Sequence, residues 1–472
     1  MSAASVGSEH RYAILAANFP CRIEKRITRE GPLFQQILKP FEDYFEFQRL
    51  STNWRTEIVA GLTTFIAMSY IVLVNPSILK DAGMPLPGVL FATCVSAAFA
   101  CLLMGFFARY PIALAPGMGL NAYFTYTVVK GMGVSWQVAL GAVFLSGVSF
   151  LFLTVIGVRQ WIVEAIPKDL YAAVGAGIGL FIAFIGLRNA GIVVSSPATF
   201  VSMGNLREPN TALALFGILL IAALQAYKVR AAILLGMLAT TAVGVAAGLV
   251  HWQPQSYTWA EMTSTLLQLD VRGAINVGLL EIVFVFLFVD LFDNIGTLVA
   301  VGHKAGLMDK NGRLPRINRI LTSDACATIA GSMVGTTTVV SYIESAAGVA
   351  AGGRTGVVSI VCGVLFIAAL LVTPLIGAVP VAATAPALVI VGGLMMSSLN
   401  QIDWEDELVA VPAFLTLIAI PLTFSIANGL AFGIIVYVIL KVVLGQGRSV
   451  SPTAYILAAL LLVRFLYLGG AV

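Results

Sequence analysis

Charged residues are scarce in this chain of 472 residues. Asp, Glu, Lys and Arg make up 11% of it, whereas a soluble globular protein carries about 25%. Hydrophobic residues make up 59%. Apolar runs long enough to cross a hydrocarbon core of about 30 Å recur from Arg55 almost to the C terminus. The scarcity of charge therefore excludes an ordinary soluble domain and predicts a polytopic membrane protein.

Cysteine and histidine are scarce as well, and neither forms a metal-binding pattern. The cysteines contain no CxxC pair, and the histidines are far apart in sequence. We therefore expect no disulfide framework, no metal site and no cofactor. The net charge of +4 is spread over loops and gives no indication of nucleic-acid binding. The cysteines are Cys21, Cys94, Cys101, Cys326 and Cys362, and the histidines are His10, His251 and His303.

The apolar runs are too continuous for an outer-membrane barrel, whose strands alternate apolar and polar residues. They predict an all-α fold with about 14 transmembrane segments. The predicted spans are 55–79, 87–108, 111–130, 134–157, 170–187, 211–227, 231–250, 275–301, 315–332, 334–352, 354–373, 376–398, 409–427 and 429–446.

The loops between the spans predict the orientation of the chain. An even number of spans puts both termini on one side, and most of the 27 Lys and Arg residues fall on that side. Positive charge marks the cytoplasmic side, so both termini are predicted to be cytoplasmic in a multi-pass protein of the cell membrane. The predicted parts are a cytoplasmic tail (1–54), two seven-span repeats (55–250 and 275–446) and a C-terminal tail with an interfacial helix (447–472). The residues after Pro40 are interpreted either as a short helix on the membrane surface or as a frayed tail.

Two spans contain residues that interrupt a helix. Span three, PIALAPGMGLNAYFTYTV, has Pro and Gly throughout its first half, and span ten, GTTTVVSYIESAAGVAAGG, opens with β-branched Thr and Val. Each is predicted to be a short extended piece followed by a half-helix. Their corresponding positions in two halves are typical of an inverted-repeat transporter. Gly and Pro are, however, also common in ordinary membrane helices.

Acidic side chains occur inside these apolar spans, where an uncompensated charge is costly. Asp290 and Asp293 are three residues apart, about 300° around a helix, so both are expected to face one cavity. Glu344 begins the half-helix of span ten, and Asn121 holds the matching place in span three. We expect these four residues to converge near the middle of the membrane.

Other acids have plainer interpretations. Asp324 in span nine is expected to hydrogen-bond to neighbouring helices, and Glu57, near the end of span one, is expected to be solvated.

The predicted site indicates what it would bind. It offers carboxylates, an amide and aromatic faces at Tyr123, Phe124 and Tyr342, and no Lys or Arg lies in mid-span. A flat heterocycle with several N–H donors fits this inventory better than an anion. A carboxylate at low dielectric favours its neutral form, so at least one acid could load and release a proton. Taken alone, Tyr123 and Phe124 are more typical of packing than of stacking on a ligand.

Several motifs together resemble the AzgA-like purine permeases, a branch of the nucleobase–ascorbate transporter superfamily. They are RTEIVAGLTTF, NPSIL, PIALAPGMGLNAYF, FVDLFDNIGTLV, SYIESAAGVAAGGRTG and IPLTFSIANGLAFG. The resemblance implies a seven-plus-seven inverted repeat with a core domain (spans one to four and eight to eleven) and a gate domain (the others). It also implies proton-coupled uptake of adenine, guanine or hypoxanthine, usually by a dimer.

The resemblance also implies roles for individual residues. In that family the purine is held by residues that match Asn121, Asp290 and Glu344, and the acid that matches Asp293 is tied to transport. We therefore predict a substrate site of Asn121, Asp290, Glu344, Tyr123 and Phe124, with Asp293 and Glu344 serving the proton. The predicted partners are a purine nucleobase, a proton, membrane lipid and a second copy of the chain.

Two residues depart from the commonest form of these motifs. Asn294 stands where threonine is usual, and Val340 stands where a hydroxyl residue is common. Both adjoin the site, so the choice among purines stays open. Another nucleobase or a small anion is the alternative substrate on the same fold.

A membrane-embedded prenyltransferase that holds Mg²⁺ with a D-x-x-D pair is the rival from another class. It would need further acidic and basic residues near an aqueous end. We expect a transporter rather than an enzyme.

Overall fold

The computed structural model describes residues 32–156, 167–250, 256–275, 280–308, 314–372 and 379–467. The chain divides into two compact units, Met1–Asn53 and Trp54–Val472. In the first unit, helix α1 runs over Pro32–Tyr44. A helix is therefore present in this region, but it begins before Pro40 rather than after it, and its place on the membrane surface stays a prediction. Residues 1–31 of the predicted tail, with His10 and Cys21, lie outside the described residues, as does His251.

The second unit consists mainly of helices. These are α2 (Trp54–Met68), α3 (Ile71–Asp81), α4 (Leu86–Leu103), α5 (Met118–Ala122), α6 (Trp136–Ile156), α7 (Lys168–Asn189), α8 (Pro209–Ala226), α9 (Ala232–Ala246), α10 (Trp259–Met262), α11 (Val271–Ile275), α12 (Leu280–Lys304), α13 (Ile317–Val334), α14 (Ser345–Ala350), α15 (Gly356–Ala369), α16 (Val381–Met395), α17 (Glu407–Thr423), α18 (Ile426–Val443) and α19 (Pro452–Tyr467). Wider π-helical turns extend α4 over Met104–Ala108 and α5 over Tyr123–Gly131.

Seven helical segments of the described part are long and apolar enough to cross a membrane. Shorter apolar helices, including Ala232–Ala246 and Glu407–Thr423, occupy other predicted spans. Long and short helices alike expose large apolar side chains, such as Phe152, Leu219 and Leu422, as contact with lipid requires. The helical membrane class predicted from the sequence is confirmed, and the number of 14 crossings stays a prediction.

The two predicted extended pieces are present, and they pair with each other. Strand β1 (Leu114–Pro116) lies antiparallel to β4 (Val339–Ser341), with Ala115 opposite Val340. A second pair, β2 (Val193–Ser196) with β3 (Phe200–Met203), forms a hairpin between α7 and α8 that we did not predict. The β1–β4 pair brings spans three and ten to one point in the molecule.

Glycine permits this pairing. A Cβ on Gly117, which follows β1, would lie 3.0 Å from a methyl group of Val340. Gly335 ends α13 with a φ of 110°, a conformation that L side chains rarely adopt. Gly117 leaves room for strand β4 beside it, and Gly335 turns the backbone before β4.

Contacts between helices divide the second unit into two groups. Helices α2, α3, α4, α6, α13 and α15 pack mainly on one another, and α7, α8, α9, α16, α17 and α18 form the other group. The first group contains spans one, two, four, nine and eleven, and the second contains spans five to seven and twelve to fourteen. This division is the predicted core and gate arrangement.

Glu57 of α2 corrects one expectation. Its carboxylate is fully buried and accepts hydrogen bonds from the backbone N–H groups of Arg354 and Thr355, at 3.0 and 3.1 Å. The Thr355 hydroxyl donates to it as well, at 2.7 Å. The prediction of a solvated Glu57 is wrong because the carboxylate satisfies backbone donors at the start of α15.

Candidate functional site

The β1–β4 pair is the centre of the candidate site. The N–H of Gly117 donates to the carbonyl of Thr338 at 2.9 Å, and the N–H of Tyr342 donates to Ala113 at 3.0 Å. These bonds extend the ladder at both ends and fix where α5 and α14 begin. Non-helical backbone at membrane depth is tolerated where protein or a water-filled cavity surrounds it.

Glu344 lies immediately before α14 and is held at one oxygen. The hydroxyl of Tyr70 donates to its Oε1 at 2.7 Å. Its Oε2 is buried, and within the described part of the chain it has no hydrogen-bond partner. A buried carboxylate oxygen that lacks a donor is costly, so this oxygen is a candidate acceptor for a ligand.

Asp293 of α12 stands on the same side of the site as Glu344. Its side chain is partly exposed, and its carboxyl group is close enough to interact electrostatically with Glu344. Tyr342 interacts with both carboxyl groups and donates its hydroxyl to the Pro116 carbonyl. We call Tyr70, Asp293, Tyr342 and Glu344 the Glu344 cluster.

Asp290, one turn earlier on α12, has different surroundings. It is fully buried, and the amide nitrogen of Asn294 donates to its Oδ1 at 2.8 Å. The same nitrogen donates to Asp324 Oδ2 at 2.7 Å, and Asn294 Oδ1 accepts the N–H of Ser341 at 2.8 Å. We call Asp290, Asn294, Asp324 and Ser341 the Asn294 bridge. The expected hydrogen bonding of Asp324 between helices is confirmed.

The two aspartates of the D-x-x-D sequence therefore have different neighbours. Asp293 joins the Glu344 cluster, whereas Asp290 accepts from Asn294, and Asn294 ties α12 to α13 and to strand β4. The expectation that both face one cavity rested on helix periodicity alone, which gives a common face only to within tens of degrees.

Asn121 lies at the predicted place in α5 but is fully buried. Its amide nitrogen donates to Asn75 at 2.5 Å, and its amide oxygen accepts from the hydroxyl of Thr337. Asn75 in turn donates to Thr93 at 2.7 Å and to Thr336 at 3.1 Å. The amide oxygen of Asn121 thus links span three to span ten, and its amide nitrogen links span three to α3 and, through Asn75, to α4.

Tyr123 and Phe124 pack on α12. Both rings are fully buried, and their centroids lie 5.2 and 6.5 Å from that of Phe286. They support the helix that carries Asp290 and Asp293. The structure thus brings Asp293 and Glu344 close enough to interact, whereas four other predicted site residues are fully buried: Asn121, Tyr123, Phe124 and Asp290.

Tyr70 and Asn75 were not among the predicted site residues. Tyr70 stands at the break between α2 and α3, and its side chain is buried. A signal existed in the sequence, because AMSYIVLVNPSIL places a tyrosine, an asparagine and a proline inside an apolar span. Nothing in that pattern identifies Glu344, 274 residues away, as the partner of Tyr70.

Interrupted helices that meet inside an apolar helical protein, with acids at the meeting point, define a membrane transporter. The chain belongs to the Permease family, within the nucleobase–ascorbate transporters, whose sequence model matches residues 55–445. It is a permease and not an enzyme.

Curated relatives and a solved structure agree with this family. The guanine/hypoxanthine permease PbuG of Bacillus subtilis is 45% identical over 90% of this chain and 99% of its own. The adenine permease AdeP of Escherichia coli is 42% identical over 90% of this chain and 96% of its own. The transmembrane domain of the cyanobacterial bicarbonate transporter BicA covers 81% of this chain and 97% of its own with a TM-score of 0.60, at 14% identity. That last similarity shows the fold alone.

Proposed function

We propose that this permease carries purine nucleobases into the cell together with protons, by alternating access in the cytoplasmic membrane. The observation that carries the proposal is Oε2 of Glu344, a buried acceptor with no hydrogen-bond partner among the described residues. It lies near Asp293, next to the β1–β4 pair. A purine presents ring N–H groups, which a carboxylate oxygen accepts. Relatives named as adenine and guanine/hypoxanthine permeases support the same class of substrate.

The charges of the Glu344 cluster argue against a small anion. Two carboxyl groups face the same space, so an anion would meet repulsion from like charges. A neutral base avoids that repulsion. Two neighbouring carboxyl groups also favour holding one proton between them, which is how the cluster would take part in proton coupling.

The roles within the site follow from this geometry. Glu344 accepts the base and takes part in proton transfer, and Asp293 mainly serves the proton. Asp290 and Asn121, predicted from the sequence to touch the base, would act by holding α12, α5 and the strand pair in place. Cytoplasmic termini and a homodimer remain predictions.

Uptake in cells that lack their own purine permeases tests the proposal. Radiolabelled adenine, guanine and hypoxanthine should enter, and each unlabelled base should compete, whereas sulfate and bicarbonate should not. Uptake should rise as external pH falls and collapse with a protonophore, because inward proton flow supplies the driving force. Uptake that follows a sodium gradient and ignores the protonophore would overturn proton coupling, and competition by the anions alone would overturn the substrate class.

A further inference from the structure

Tyr70 has an unusual place for a residue that contacts the candidate site. It lies between α2 and α3, where span one is interrupted, and its side chain is 1% exposed. Its hydroxyl reaches across to span ten and donates to Glu344 Oε1 at 2.7 Å. This hydrogen bond links span one to the half-helix that Glu344 precedes.

This hydrogen bond makes the two oxygens of Glu344 unequal. Oε1 already accepts a proton donor from the protein, whereas Oε2 has no hydrogen-bond partner among the described residues. A free carboxylate presents two equivalent oxygens and can accept two parallel donors side by side. With Tyr70 in place, a ligand with two parallel donors would have to share Oε1 with the tyrosine hydroxyl.

Purine bases differ in the donors that they present along one edge. Guanine has the N1–H and the 2-amino group next to each other, so it offers two parallel N–H donors. Hypoxanthine has the same ring and the same N1–H but carries hydrogen in place of the 2-amino group. The two bases therefore form a matched pair that reports whether one or both oxygens of a carboxylate are used.

We propose that Tyr70 is a specificity-determining residue: by donating to Oε1 of Glu344, it makes a second N–H of the base share that oxygen and so reduces the advantage of the 2-amino group of guanine. The inference rests on the proposed purine uptake and deepens it. Oε2 accepts the N1–H that guanine and hypoxanthine both supply. Tyr70 acts on the base through Glu344, so it is also a positioning residue.

The unmodified protein supplies the first measurement. We expect purified permease to bind guanine and hypoxanthine with dissociation constants within about threefold of each other, since the second donor gains no free acceptor. Guanine binding more than tenfold tighter than hypoxanthine would overturn the inference without any variant. If the purified permease binds no purine at all, the proposed function is overturned, and the inference with it.

The second measurement removes the hydroxyl. In Tyr70→Phe both oxygens of Glu344 are open, so guanine should gain about tenfold or more relative to hypoxanthine, the range expected for a hydrogen bond to a charged group. The matched control is Tyr342→Phe. Tyr342 is also a buried tyrosine of the Glu344 cluster, but its hydroxyl donates to the Pro116 carbonyl. Its loss should leave the guanine-to-hypoxanthine ratio unchanged.

The ratio separates specificity from simple structural damage. A loosened site would weaken both bases together and leave their ratio constant. A ratio within twofold of the parent in Tyr70→Phe, or an equal change in Tyr342→Phe, would overturn the role of Tyr70 while purine binding itself stands. If Tyr70→Phe does not fold, the ratio in the unmodified protein decides.

Discussion

Glu344 is held at one oxygen and open at the other, and both properties follow from its contacts. Tyr70 fixes the side chain, and the nearby Asp293 keeps a second carboxyl group in the same space. A ligand that donates to Oε2 would remove an unsatisfied buried acceptor. The affinity for a purine should therefore depend on the charged acceptor oxygen of Glu344 rather than on the shape of its side chain.

Glu344→Gln tests that dependence at the scale of one residue. The change keeps the shape but replaces a charged acceptor by a neutral amide, so purine affinity should fall about ten- to a hundredfold. Equilibrium binding to the purified variant measures it. Glu208→Gln, an exposed glutamate before α8, is the matched control and should bind normally. Affinity within twofold of the parent in Glu344→Gln would remove Glu344 from direct contact with the base.

The two aspartates of α12 give a second prediction. Asp293→Asn mimics a protonated acid, so it should bind purine but fail to concentrate it against a gradient. Asp290→Asn should leave purine affinity within about threefold of the parent and lower stability by about 1–3 kcal/mol, because it alters a buried acceptor of Asn294. Binding, concentrative uptake and thermal unfolding in detergent measure these effects.

Two outcomes would contradict this assignment. Loss of purine binding in folded Asp290→Asn would restore the direct contact that the sequence resemblance implies. Normal accumulation by Asp293→Asn would remove Asp293 from the proton pathway.

At the scale of elements, buried polar side chains hold the interrupted spans in register. Asn121 and Asn75 link α5, α3 and α4, and the Asn294 bridge links α12, α13 and β4. Backbone groups that leave a helix inside the membrane need such partners, since lipid offers none. The interruptions are therefore stable features of the fold.

The buried carboxylate of Glu57 permits a prediction at this scale. Glu57→Ala leaves the N–H groups of Arg354 and Thr355 without acceptors at the start of α15, and each such loss costs about 1–3 kcal/mol. Thermal unfolding should shift to a clearly lower temperature, and Glu57→Gln, which keeps one acceptor, should shift it less. Equal stability of Glu57→Ala and the parent would contradict the assigned role of this carboxylate.

At the scale of the whole molecule, side-chain hydrogen bonds join the core helices to the gate helices. Ser77 of α3 and Thr384 of α16 place their hydroxyl oxygens 3.2 Å apart. Asn189 of α7 donates to the Tyr126 hydroxyl at 3.4 Å, and Thr127 donates to the Phe424 carbonyl after α17. The last two hydrogen bonds lie at or just beyond the C-terminal ends of predicted spans three, five and thirteen, at Tyr126, Thr127, Asn189 and Phe424. Odd-numbered spans run in the same direction, so these ends lie on one side of the membrane.

Alternating access requires these contacts to break, because the core must move against the gate. A disulfide in the double variant Ser77→Cys, Thr384→Cys should therefore stop uptake under oxidation, and a reductant should restore it. Each single variant, which keeps the five native cysteines, should transport under both conditions. Full uptake by a double variant shown to be cross-linked would mean that the two helices do not separate during transport.

The sequence by itself determined the membrane class, the two interrupted spans and the presence of acids inside apolar segments. Hydropathy and the scarcity of charge report the solvent of each segment, and Pro, Gly and β-branched runs report local backbone preference. For that reason the extended pieces in spans three and ten, and the bonding of Asp324, were predicted correctly. These properties are local, so a linear sequence records them.

The tertiary structure alone decided which polar groups meet. Tyr70 and Glu344 are 274 residues apart, and Glu57 and Thr355 are 298 apart, so neither partnership leaves a local signal. The different surroundings of Asp290 and Asp293 depend on which neighbours pack beside each turn of α12. Helix periodicity fixes a direction from the helix axis, but only the packing of distant elements fixes what lies in that direction.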